Sequence, residues 1–134
     1  MNPHRATVED FSMLSVVGKG AFAKVLLVRH NTTEKIFAMK IIPKKNVTAK
    51  KQEAFITVER NVLVEVDHPF IIKMFYAFQN PKKLFFVLEF CPGGELYRQI
   101  SKKHRFPEDH IRFYASQMVL ALEYLHARNI VYRE

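Results

Sequence analysis

Two glycines one residue apart, Gly18 and Gly20, a lysine, Lys40, and a glutamate, Glu59, are the side chains here whose types and order suggest a chemistry. Closely spaced glycines let a backbone turn bring its N–H groups near phosphate oxygens with no side chain between. A lysine on a neighbouring strand adds a compact positive charge aimed at the same anion. Together they suggest a handle for a nucleoside triphosphate. The plainer alternative is a hairpin with a glycine turn and an unrelated lysine.

Positioning these groups requires an antiparallel meander. Phe11 to Lys19 and Lys24 to His30 are rich in Val, Leu and Phe and read as strands joined by the glycine turn. Asn31-Thr32-Thr33-Glu34 supplies a second turn, and Lys35 to Ile42 a third strand. Pro43 to Lys51 reads as a linker, and Gln52 to Val66 as an amphipathic helix with Phe55, Val58, Val62 and Val66 on one stripe. Glu59 falls inside that stripe, where a carboxylate is costly unless paired. Either it meets Lys40 or it tilts to solvent at the stripe's edge, and periodicity leaves both open. Asp67-His68-Pro69 ends the helix. Two further strands, Phe70 to Gln79 and Leu84 to Phe90, flank the turn Asn80-Pro81-Lys82-Lys83. His68 has no second ligand at metal spacing and reads as a turn or capping residue.

Spacing separates the phosphate-binding patterns. A dinucleotide-binding unit needs a helix directly after its glycines and an acid about 20 residues on, whereas a strand follows here. No G-x-x-x-x-G-K-[ST] run is present. The stretch Gly18-x-Gly20-x-x-Ala23-x-Val25, followed by Phe37-Ala38-Met39-Lys40, resembles the glycine-rich loop and third-strand lysine of protein kinases. Ala23 stands where a third glycine is usual, a departure costing about 1 kcal/mol if positive φ is needed there. The resemblance favours an ion pair between Lys40 and Glu59.

A second resemblance lies in Leu88-Glu89-Phe90-Cys91-Pro92-Gly93-Gly94-Glu95-Leu96, which is similar to the hinge of AGC-group serine/threonine kinases. Carried over by position, Leu88 backs an adenine pocket, while the Glu89 carbonyl and the Cys91 N–H and carbonyl face the adenine edge. Val17, Val25 and Ala38 form its apolar walls, and Glu95 meets the ribose. Glu95 also suits a basic residue upstream of the phosphorylated Ser or Thr in a protein substrate. The resemblance implies ATP as phosphate donor with Mg²⁺ beside it, and an upstream activating kinase as a further partner.

Glu95 to Ser101 reads as a short helix, and Pro107 opens a long one with Glu108 and Asp109 in its first turn. Ile111, Tyr114, Met118, Leu122 and Leu125 form one apolar line of that helix, and Phe113, Leu120, Ala121 and Tyr124 a second. The chain closes on Ile130-Val131-Tyr132-Arg133-Glu134, where Glu134 stands in the slot of the family's catalytic Asp. The metal-binding Asn and Asp-Phe-Gly segment have no counterpart in these 134 residues, so the resemblance covers the first half of a catalytic domain. By themselves the 134 residues are expected to transfer no phosphate, with Glu134 one methylene too long for a well-placed base.

The expected class is α+β: a kinase-like N-lobe of five antiparallel strands and one covering helix, then the first two helices of an incomplete, mostly helical C-lobe. The expected divisions are an extension over 1–10, the N-lobe over 11–90, a hinge over 91–95 and the start of the C-lobe over 96–134. A single cysteine, Cys91, forms no intrachain disulfide and fits a reducing compartment, cytoplasmic or nuclear. No apolar run is long enough for a membrane span, and Met1 to Asp10 has no apolar signal segment. The net charge of +8 is scattered along the chain, with lysines in loop pairs without aromatic interleaving, which read as solvated surface and argue against nucleic acid as a partner. Three readings stay open: the ATP-binding part of a kinase, an inactive nucleotide-binding or docking module, and, least favoured because no motif supports it, a basic nucleic-acid binder.

Overall fold

The computed structural model describes residues 6–20, 22–47, 50–103 and 105–131. Five strands form one antiparallel sheet: β1 (Phe11–Lys19), β2 (Lys24–His30), β3 (Ile36–Pro43), β4 (Met74–Gln79) and β5 (Lys83–Glu89). Their order across the sheet is β1-β2-β3-β5-β4. Three helices accompany them: α1 (Lys50–Glu65), α2 (Leu96–Lys103) and α3 (Glu108–His126). The chain divides into two compact units, residues 1–66 with 72–90, and residues 67–71 with 91–134.

Alternation along the strands sorts side chains onto two faces of the sheet. Leu26, Val28, Phe37, Met39, Ile41, Phe85 and Val87 point one way and, with Phe11, form the core cluster. Tyr76 and Phe78 pack against it, as do Ala6 and Val8. The other face carries Val25, Lys40 and Phe86 in one cross-strand row and Leu27, Ala38 and Leu88 in the next. Ala38, Ile42 and Phe86 are buried on this side as well. Strand β3 is therefore covered on both faces, which explains its unbroken apolar run around Lys40.

Several element boundaries depart from the sequence expectation. The fourth strand begins at Met74 and not at Phe70, because the Phe70 N–H donates to His68 Nδ1 at 3.1 Å and the Ile71 N–H to the His68 carbonyl at 3.1 Å. Those bonds make a turn of the segment, so His68 acts as the turn residue. The expected linker is partly helical: Lys44–Asn46 form a 3-10 turn and α1 starts at Lys50. Pro107 is the N-cap of α3 and not its first helical residue, and its carbonyl accepts the Ile111 N–H.

The stripe expected on α1 holds only in part. Phe55 and Val58 are 68% and 59% exposed. Val62 is half-buried and Val66 buried as expected, while Ile56, Glu59 and Leu63 are the other more covered positions, so the stripe departs from expectation only in its first half. At the far end of α3, Asn129 takes φ of 59° and the Ile130 N–H reaches back to the Leu125 carbonyl at 3.0 Å. A left-handed residue with such a bond closes a helix, and Asn tolerates that conformation better than most residues.

Candidate nucleotide site

Antiparallel pairing builds the site from β1, β2 and β3. Gly18 pairs with Val25, and Val25 pairs with Lys40, so the glycine turn and the lysine meet through one residue. A register shift between Val16 and Gly18 leaves Val17 outside the regular ladder, exposed beside the turn. Ala38 lies opposite Leu27 on β2 and Leu88 on β5. The apolar positions Val25, Ala38 and Leu88 thus share a sheet face with Lys40.

Lys40 Nζ donates to Glu59 Oε1 at 2.7 Å, with side chains 27% and 41% exposed. This pair links the sheet to α1. Of the two fates open to Glu59, the geometry selects the ion pair. In a setting so open to water, it contributes about 1 kcal/mol or less to stability. Its consequence is positional: the ammonium is held on the face that carries the glycine turn.

Neither glycine is required by the fold itself. Among the described residues only Gly94 is a glycine at positive φ. A Cβ on Gly18 would stand 3.6 Å from Val25 Cβ and 3.8 Å from its Cγ2, and one on Gly20 3.7 Å from the Ala23 carbonyl oxygen. Those are ordinary contacts, so a small residue is not needed here for packing. The absence of a side chain leaves room for close approach by something outside the chain. Ala23 is not at positive φ, so the anticipated penalty for replacing a third glycine does not arise.

Two contributors to the turn went unread in the sequence. The Ala23 carbonyl accepts the Gly20 N–H at 2.9 Å and closes the loop. Asn46 Nδ2 donates to the Phe22 carbonyl at 3.3 Å and ties the loop to the 3-10 turn after β3. No local signal marks Asn46, whose partner lies 24 residues upstream.

Of the expected hinge positions, Glu89 closes β5, opposite Phe37, and its N–H donates to the Lys73 carbonyl at 2.9 Å. Cys91 and Glu95 belong to the second unit and are exposed. The Cys91 carbonyl accepts the Gly94 N–H at 3.2 Å, leaving one lone pair for another donor. Gly94 has φ of 70°, and the Gly93 carbonyl accepts from Gln99 Nε2 at 3.0 Å. Glu134 lies outside the described residues. Among the described residues, no group of three or more His, Cys, Asp or Glu could hold a metal ion.

Comparison with known proteins agrees with this arrangement. Residues 11–134 match the protein kinase domain family. The chain is 46% identical over 134 residues to the serine/threonine-protein kinase Sgk1 of Xenopus tropicalis, covering 99% of this chain and 32% of that protein. It is 48% identical over 130 residues to Sgk1 of Danio rerio, covering 96% and 30%, respectively. It is 43% identical over 130 residues to Protein kinase 3 of Dictyostelium discoideum, covering 97% and 14%. The chain therefore spans less than a third of each of these relatives. With a glycine turn, a paired Lys40 and a family match running from Phe11 onwards, the chain belongs to the protein kinase domain family.

Proposed function

We propose that this chain is the ATP-binding part of an AGC-type serine/threonine kinase, whose whole protein transfers the γ-phosphate of ATP to Ser or Thr of protein substrates. The observation that carries this reading is the Lys40–Glu59 pair at 2.7 Å on the face of the sheet that also bears Val25, Ala38 and Leu88. Lys40 would meet the phosphates with its remaining N–H donors while Glu59 holds the ammonium in place. Gly18 and Gly20 would let the loop close over the phosphates, Val17, Val25 and Ala38 would cover the base, and Leu88 would lie behind it. Backbone groups of Glu89 and Cys91 would read the adenine edge, and Glu95 the ribose. Such positioning, with charge stabilisation, is most of what phosphoryl transfer asks of a protein.

Mg²⁺ accompanies the nucleotide phosphates in this reading, but the described residues do not form a site for it, and no step here runs through it. Serine/threonine-protein kinases among the relatives support protein substrates, and Glu95 supports a preference for a basic residue upstream of the acceptor. An upstream activating kinase belongs to the same reading, and a single exposed cysteine suits a cytoplasmic or nuclear setting.

Titrating a fluorescent ATP analogue against the chain and its Lys40→Ala variant tests the site. Loss of a charge-assisted contact of about 1.5–3 kcal/mol should weaken binding by about 10- to 100-fold. Equal affinities would remove Lys40 from the site.

A further inference from the structure

Two of the four lysine pairs that look scattered along the sequence converge in the fold. Pro43 pairs with Lys83, and the Lys44 N–H donates to the Lys82 carbonyl at 2.9 Å, so Lys44-Lys45 and Lys82-Lys83 share one corner of the sheet. That corner is firmly built. Asn80 Oδ1 accepts the N–H groups of Lys82 at 2.9 Å and Lys83 at 2.7 Å, and the Asn80 N–H donates to the Lys83 carbonyl at 3.0 Å. At the same end of the sheet the glycine turn sets Lys19 opposite Lys24. Between those two, Phe22 is 60% exposed. The three connecting stretches, 17–24, 41–47 and 79–84, hold these six lysines and no Asp, Glu or Arg.

We propose that this lysine-rimmed end of the sheet, with Phe22 at its tip, is a docking surface for anionic phospholipid membranes. Lysines alone, without arginine, make an array of point charges, whereas selective phosphopeptide sites favour the bidentate fork of arginine. Single-stranded nucleic acid would call for several stacking aromatics, and these three stretches contain one. An anionic bilayer asks only for clustered cations near its surface, each worth about fivefold in partitioning, and for an apolar group able to enter the headgroup layer. No described helix is long and apolar enough to cross a membrane, so the contact would be peripheral. The surface shares the glycine turn with the proposed nucleotide site, but it rests on lysines that are not among that site's residues.

Co-sedimentation with vesicles of phosphatidylcholine, alone or with roughly one third phosphatidylserine, tests the surface. Binding is expected to the anionic vesicles only, falling as salt shortens the screening length from about 10 Å to about 3 Å. Lys82→Gln with Lys83→Gln should weaken it by about 25-fold. Lys44→Gln with Lys45→Gln should do the same, which guards against a folding defect in either variant. Lys102→Gln with Lys103→Gln removes equal charge from α2 and should leave binding unchanged. Equal losses from all three pairs would reduce the effect to net charge and overturn the proposal. So would equal binding to neutral vesicles, or a lysine dependence seen with a phosphoserine peptide or single-stranded DNA but not with vesicles.

Discussion

At the residue scale, the groups that matter to the site do little for the fold. Lys40 and Glu59 are too exposed to gain much stability from each other, and Gly18 has room for a methyl group. Function and stability should therefore separate on mutation. Glu59→Gln is expected to change unfolding free energy by about 1 kcal/mol or less while lowering affinity for an ATP analogue, because the ammonium loses its anchor. Gly18→Ala should leave the thermal midpoint unchanged or slightly raised, since it stiffens the unfolded chain, and should still weaken nucleotide binding by obstructing close approach. Thermal unfolding beside ligand titration checks both. A fall in midpoint with affinity intact would mean that the glycine serves the fold and not the ligand.

At the scale of elements, the strands were easier to read than the helix that covers them. The apolar runs of β2 and β3, each bounded by turn residues, have one consistent placement each. In α1, apolar residues stand side by side at Phe55-Ile56 and at Val62-Leu63-Val64, so two stripes one residue apart fit the same period. Packing on the sheet selects the stripe through Ile56, Glu59 and Leu63, and propensity could not. The length of the turn after His68, which delays β4 to Met74, and the reach of Asn46 depend on hydrogen bonds that leave no periodic trace. Two substitutions measure the difference. Met39→Ala, at a fully buried site, should cost about 2–5 kcal/mol in denaturant unfolding. Phe55→Ala, on the open side of α1, should cost no more than about 0.5 kcal/mol. A large loss from Phe55→Ala would put that ring back in the core.

At the scale of the whole molecule, the two units differ in how well they bury apolar side chains. The sheet unit holds the core cluster, whereas none of the described residues of α2 or α3 is buried. On α3, Ile111, Met118 and Leu122 follow one another along a single face, and all three are exposed. Phe113 and Leu120 lie open on another side of the same helix. Each ring or branched chain left in water forgoes about 1.5–3 kcal/mol of burial, and apolar patches of several hundred Å² favour association. The 134-residue chain in isolation is therefore expected to associate with itself and to unfold at low denaturant, with light scattering rising as concentration increases. Ile111→Lys combined with Met118→Glu should lower that scattering without altering the sheet core, because neither side chain contributes to the core cluster. A monomer at every concentration, unfolding in one sharp transition, would show that the exposed line on α3 drives no association.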